Sequence, residues 1–205
     1  MNPDTTALIL VGYQNDYFAK DGILRGVVED PHGVDRVLDN TLAFVRALAP
    51  TGATIIATPI ILASDYRAMA SPVGILNTMK EVGAFKEGAT GAENIPELDE
   101  FGDRIVYVSG KVGFNAFSNT TLGDVLRDRG IENVLVCGMV TSLCIDSTGR
   151  AAYEAWWAAW EPAYQHFREA VIKAERFGTD WPWLDAYGAT APAEFFAVAC
   201  EAYFV

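Results

Sequence analysis

The 205-residue sequence predicts an α/β fold, a doubly wound parallel sheet followed by a divergent helical C-terminus. Three observations predict it. Short, almost unbroken apolar runs rich in Ile and Val (TALILVGY, ATIIATPIIL, DRIVYVSG and ENVLVCGM) read as strands buried on both faces. Helical patterns separate these runs, and strands alternating with helices imply right-handed βαβ crossovers. After about residue 153 the texture changes: no further Val/Ile-rich run follows, Gly becomes scarce, and all five Trp residues fall within 156–183.

Taken in order, TALILVGY opens the sheet. VDRVLDNTLAFVRALA then sets Val37, Leu38, Leu42, Val45 and Leu48 close to one helical face and stops at Pro50 and Gly52. ATIIATPIIL and DRIVYVSG supply the second and third strands. NTTLGDVLRDRG is a helix closed by Gly130, just ahead of the fourth strand, ENVLVCGM. Downstream, AYEAWWAAWEPAYQHFREAVIKAERFG reads as one long helix or as two interrupted at Pro162, and APAEFFAVACEAYFV as another. Sheets of this kind bind ligands beyond the carboxyl ends of their strands, so the segments that follow the strands carry the candidate chemistry.

Composition narrows the functions available. With 51% hydrophobic and 20% charged residues, the chain is ordinary globular material and long enough for one domain-sized core. A net charge of -12 and a pI near 4.5 argue against nucleic-acid or anionic-membrane partners, which need a basic surface. No apolar run nears the roughly 18 residues of a membrane span, and the N-terminal run is too short, with flanks too acidic, for a signal peptide. Three irregularly spaced cysteines make neither a disulfide framework nor a CxxC metal site, so a cytoplasmic location is expected.

One cysteine stands out. In GMVTSLCIDSTGR an apolar strand meets a tight turn, and Cys144 follows where a helix begins, a setting that favours a thiolate. Cys137 and Cys200 read as inert core thiols. ALILVGYQNDYF, SGKVGFNAFSNTTL and VLVCGMVTSLCIDSTGRAAYE, with TPIILASDYRAM and GAFKEGATGAENIPEL between, together resemble the isochorismatase-like cysteine hydrolases over about residues 1–155. The resemblance implies a three-layer α/β/α domain with an Asp–Lys–Cys triad. Such a triad hydrolyses a small amide or related C–N or C–O bond through a Cys thioester. By match of motif the nucleophile is Cys144 and the lysine Lys111. The family Asp takes the thiol proton and returns it to the leaving group, while Lys holds the charges in place. In the family the peptide four residues before the Cys is cis and turns backbone N–H groups into an oxyanion hole. That match falls on Met139–Val140, with the N–H groups of Val140 and Cys144 as donors. Phe114 and Phe117 line either the substrate pocket or the core.

The sequence departs from the family at the Asp. VGYQND keeps Gln14, Asn15 and Asp16, so the register holds, but the Asp position itself is Gly12. Asp16 lies past the strand end and in the family orients the turn. A positioned general base is worth on the order of 10²–10⁴-fold, and triad members act as a unit. The expectation is an impaired hydrolase. The competing reading is a non-catalytic module that binds small ligands or other proteins on the same fold. Nicotinamidases of this family carry an Asp-x-His cluster after the second strand, whereas this chain has Asp65 and no His there. That counts against nicotinamidase, and no metal or cofactor is expected. The partner is a small-molecule substrate or ligand, and a homo-oligomer is allowed because relatives commonly associate.

AWWAAWEPAYQHFREAV and LDAYGATAPAEFFAVACEAYF, about residues 156–205, resemble instead the C-terminal part of zinc metallopeptidases of the Mlc titration factor A type. That likeness would make Glu194 a zinc ligand and Tyr187 the tyrosine that steadies the tetrahedral intermediate. HExxH is absent, however, and neither His32 nor His166 sits in such a motif. The tail is therefore expected to be an aromatic-rich helical segment packing on a 1–155 hydrolase domain. The strands that end the hydrolase family are missing, and in that family they lie beside the fourth strand. Their loss leaves an unpaired edge for the tail or a second chain to cover. A natural fusion, a recombinant chimera or a designed sequence would each read this way.

Overall fold

The computed structural model describes residues 1–27, 31–191 and 194. The chain divides into two compact units, Met1–Ala152 and Tyr153–Val205. The first holds a four-stranded parallel sheet made of β1 (Thr6–Val11), β2 (Thr54–Thr58), β3 (Ile105–Tyr107) and β4 (Asn133–Gly138), in the order β3-β2-β1-β4. All four lie inside the apolar runs that predict them. Every residue of β1 and β2 is buried, as two-sided cover requires. The outer strands are covered less completely than two-sided burial predicts. β4 is half-buried along its whole length, and β3 passes from buried Ile105 to exposed Tyr107. Among the described residues each of these two pairs with one neighbour, so the third run, which reads as central in sequence, lies at an edge in space, while β4 has the unpaired edge that the missing family strands lead one to expect.

The helices of this unit are α1 (Asn15–Phe18), α2 (Pro31–Leu48), α3 (Ile75–Val82) and α4 (Leu122–Asp128). On α2 the buried row is Val34, Thr41, Leu42 and Val45, with Leu38 and Leu48 packed partly against the core. Val37, expected on that face, is 37% exposed. It sits one residue off the row, at the margin of the apolar stripe.

Strand order determines where ligands can bind. The chain steps from β1 to β2 to β3 in one direction, then returns to place β4 on the other side of β1. With right-handed crossovers, α2 and α3 cover one face and α4 the other. The direction reverses between β1 and β4, and the crevice beyond their carboxyl ends is the switch point where such sheets bind ligands.

Beyond β4, α5 (Asp146–Phe177) runs through Pro162 as one helix, so the one-helix alternative holds. In the second unit Tyr164, Phe167 and Val171 share one helical face and form a small buried cluster with Leu184, Ala186 and Ala189. The Tyr164 hydroxyl donates to the Ala189 carbonyl at 3.3 Å. Asp185 accepts the Tyr187 N–H at 2.8 Å, leaving the Tyr187 side chain exposed, and His166 is exposed as well. The helix expected over APAEFFAVACEAYFV, with Cys200, lies outside the described residues apart from Ala191 and Glu194. No helix among the described residues is long and apolar enough to cross a membrane.

Candidate active site

Val11 at the end of β1 is in register with Thr58 of β2 and Gly138 of β4, so Gly12 and Met139 leave the sheet side by side. The Met139 N–H donates to the Val11 carbonyl at 3.2 Å. Gly138 has φ +135°, and a Cβ there would run into the Val11 carbonyl oxygen, so this close approach requires glycine. The Met139–Val140 peptide is cis. A wide helical turn, Thr141–Ile145, follows, in which the Ile145 N–H donates to the Val140 carbonyl at 3.2 Å. Cys144 is buried inside this turn, just ahead of α5 rather than on its first residue.

Lys111 comes to Cys144 from the segment after β3. Its backbone bridges Ile60, and its side chain is wholly buried. Nζ donates to the Gly113 carbonyl at 2.6 Å and lies 3.4 Å from Cys144 Sγ. Burial pushes the Lys111 pKa down, and the Cys144 charge and hydrogen bond oppose that shift. Buried Thr148, near the start of α5, accepts the Ala116 N–H at 3.1 Å and donates to the Phe114 carbonyl at 3.4 Å. These two bonds tie the lysine segment to the cysteine helix.

The QND stretch is a clamp. Gln14 Nε2 donates to the carbonyls of Ile60 and Ala92 at 2.7 and 2.6 Å, and Gln14 Oε1 accepts the Ile60 N–H at 2.7 Å. Asp16 is buried with Oδ2 accepting the Phe85 N–H at 2.6 Å, so its carboxylate is committed to a turn. Gly12 is buried with φ +73°. A Cβ built on it would lie 3.1 Å from the Met139 carbonyl oxygen and 3.4 Å from Tyr17 Cε2.

Tyr17 is the residue that sequence reasoning missed. Its ring is buried and tilted against Phe85, with centroids 5.0 Å apart, and among the described residues its hydroxyl has no hydrogen-bond partner. Burial raises its pKa, and the charges of Cys144 and Asp16 raise it further. Nothing in NDYF signals this, because the short α1 turn is what returns the ring beneath Gly12. Phe114 and Phe117 are half-buried and pack on the core. Cys137 is a half-buried free thiol whose pKa burial pushes up. Asp65 is exposed, with Oδ1 accepting the Arg67 N–H at 3.1 Å.

The isochorismatase domain model matches residues 6–155. The chain belongs to the isochorismatase family. Among members of that family it is 27% identical over 150 residues to the uncharacterized isochorismatase family protein YddQ of Bacillus subtilis (strain 168), covering 73% of this chain and 71% of that one. It is 29% identical over 163 residues to the ureidoacrylate amidohydrolase RutB of Cronobacter sakazakii, covering 74% and 69%. The crystal structure of a cysteine hydrolase from Pseudomonas syringae pv. phaseolicola 1448A superposes with a TM-score of 0.60 at 26% identity, over 75% of this chain and 68% of that one. The glucose-regulated metallo-peptidase M90 model matches residues 145–205, overlapping the isochorismatase match at the start of α5.

Proposed function

We propose that the chain is an isochorismatase-like cysteine hydrolase that cleaves a small amide, or a related C–N or C–O bond, through a thioester on Cys144, with turnover impaired at Gly12. The observation that carries this reading is the buried pair of Lys111 Nζ and Cys144 Sγ, 3.4 Å apart beside the switch point. Among the described residues no carboxylate contributes to the environment of Lys111, and its buried ammonium lies directly against Cys144 Sγ. Amide chemistry is further supported by relatives named as ureidoacrylate amidohydrolases.

In this mechanism Sγ attacks the carbonyl carbon, the N–H groups of Val140 and Cys144 hold the resulting oxyanion, the leaving group departs with a proton, and water opens the thioester. The step this chain serves poorly is proton transfer at sulfur. Gly12 brings no carboxylate to it, which corresponds to a loss of about 10²–10⁴-fold in turnover. The same glycine favours the second reading, a pocket that binds small acids without turning them over.

Gly12→Asp separates the two. Under the hydrolase reading the variant gains about 10²-fold or more in turnover on simple amides. Mass spectrometry then finds an acyl adduct on Cys144 that Cys144→Ala abolishes. An inert Gly12→Asp variant that still binds small acids gives the answer to the binding module.

A further inference from the structure

We propose that Tyr17 and Lys111 bind a small carboxylate, and that this acid performs the proton transfer for which Gly12 has no side chain. The inference rests on the hydrolase reading above. Two buried donors point to it. The Tyr17 hydroxyl has no hydrogen-bond partner among the described residues, although its side chain is only 3% exposed. A buried hydroxyl left this way forfeits the hydrogen bond it would make to water. Lys111 is 0% exposed, and its ammonium has three N–H donors, of which the Gly113 carbonyl and Cys144 take two. One neutral O–H, on a ring packed beside Gly12, and one charged N–H, on a lysine against the thiol, suit the two oxygens of a carboxylate.

The surroundings restrict the ligand further. Tyr17 Cε2 and the Met139 carbonyl oxygen crowd the position of a Gly12 side chain, at 3.4 and 3.1 Å. The cation is a single lysine, in a chain of net charge -12. Both features favour a monoanionic acid of one or two carbons over a dianion such as phosphate. Asp16, the nearest carboxylate in sequence, is held by the Phe85 N–H and is not the group in question.

The chemistry balances. The carboxylate takes the Sγ proton as sulfur bonds to the amide carbon and the C=O π pair moves to oxygen. On collapse the C–N bond breaks, the nitrogen takes the proton back, and the amine leaves a thioester on Cys144. Water then adds, passing a proton to the carboxylate, the C–S bond breaks, and the proton returns to sulfur. The acid is regenerated. It can be a free acid such as formate, or the substrate's own carboxylate in a half-amide such as oxamate.

The test titrates the full chain with sodium formate against sodium chloride at equal ionic strength, following turnover of a neutral amide and the melting temperature. The expected result is a saturable rise in rate of about tenfold or more, together with a rise in Tm. Tyr17→Phe loses both responses while keeping its ring packing, and Gly12→Asp shows no dependence of rate on formate. Oxamate turned over without formate identifies the substrate as the source of the acid. A wild-type chain whose rate and Tm ignore formate overturns the inference, and if Gly12→Asp is then active the hydrolase reading survives alone. If Gly12→Asp is inert and Cys144 is never acylated, the hydrolase reading falls. The Tm then decides the carboxylate site by itself: a Tyr17-dependent shift upholds it, and no shift ends it.

Discussion

Lys111 is a buried cation whose penalty is open to measurement. Burial lowers its folded-state pKa below the unfolded value of 10.5, so between the two the unfolded chain binds more protons and stability rises with pH. Below the folded value the penalty is present in full. Lys111→Met removes it, and the variant is expected to be more stable by about 1 kcal/mol near neutral pH. That margin narrows as pH climbs toward 10.5. Urea unfolding at pH 7 and pH 10 checks this, and a margin that does not change with pH would place the difference elsewhere. Gly12 carries a cost of its own. At φ +73° an L-residue is strained by about 1–2 kcal/mol, although Asp is among the residues that visit this region most readily. Gly12→Asp is therefore expected to gain turnover while melting at a lower temperature than the parent.

At the scale of elements, Gln14 holds the ends of β1 and β2 together where hydrogen bonding between the strands has stopped. Gln14→Leu leaves the Ile60 N–H and the carbonyls of Ile60 and Ala92 without partners in a dry site. The expected loss is about 3 kcal/mol, read from denaturant midpoints at unchanged slope. Much at this scale was legible in the sequence. The four strands, the extent of α2, the helix closed by Gly130 and the positions of Lys111 and Cys144 all follow from period and punctuation, or from motifs that travel as units. What was not legible depends on distant partners. Gln14 and Asp16 are readable as a motif, but Ile60, Phe85 and Ala92, which give them their work, come from other parts of the chain. Val37 was misplaced because its position relative to the buried row is fixed by α2 docking on the sheet. The edge character of β3 was hidden for a related reason: an apolar run does not say how many neighbours it will have.

Over the whole molecule, protection against hydrogen exchange should follow strand order. Amides of β1 and β2, buried and paired on both sides, are expected to exchange only through global unfolding. Part of β3 and β4 should exchange earlier, because an edge strand turns alternate amides away from its single neighbour. Uniform protection across the four strands would show that the β4 edge is covered. The two family matches, 6–155 and 145–205, overlap at the start of α5, the helix that begins in the first unit.

The β1–β4 pairing also sets an order of events in synthesis. Thr6 pairs with Asn133 and Val11 with Gly138, so one side of the first strand made waits for the last strand of the sheet. Chains lengthen at about 5–20 residues per second, and contacts so far apart in sequence close late. During that interval β2 can join β1, but the opposite side of β1 stays open. Lys111 is added to the chain before Cys144. The lysine and the cysteine are brought together by the same event that closes the sheet, so a chain that stops short of β4 does not carry the site.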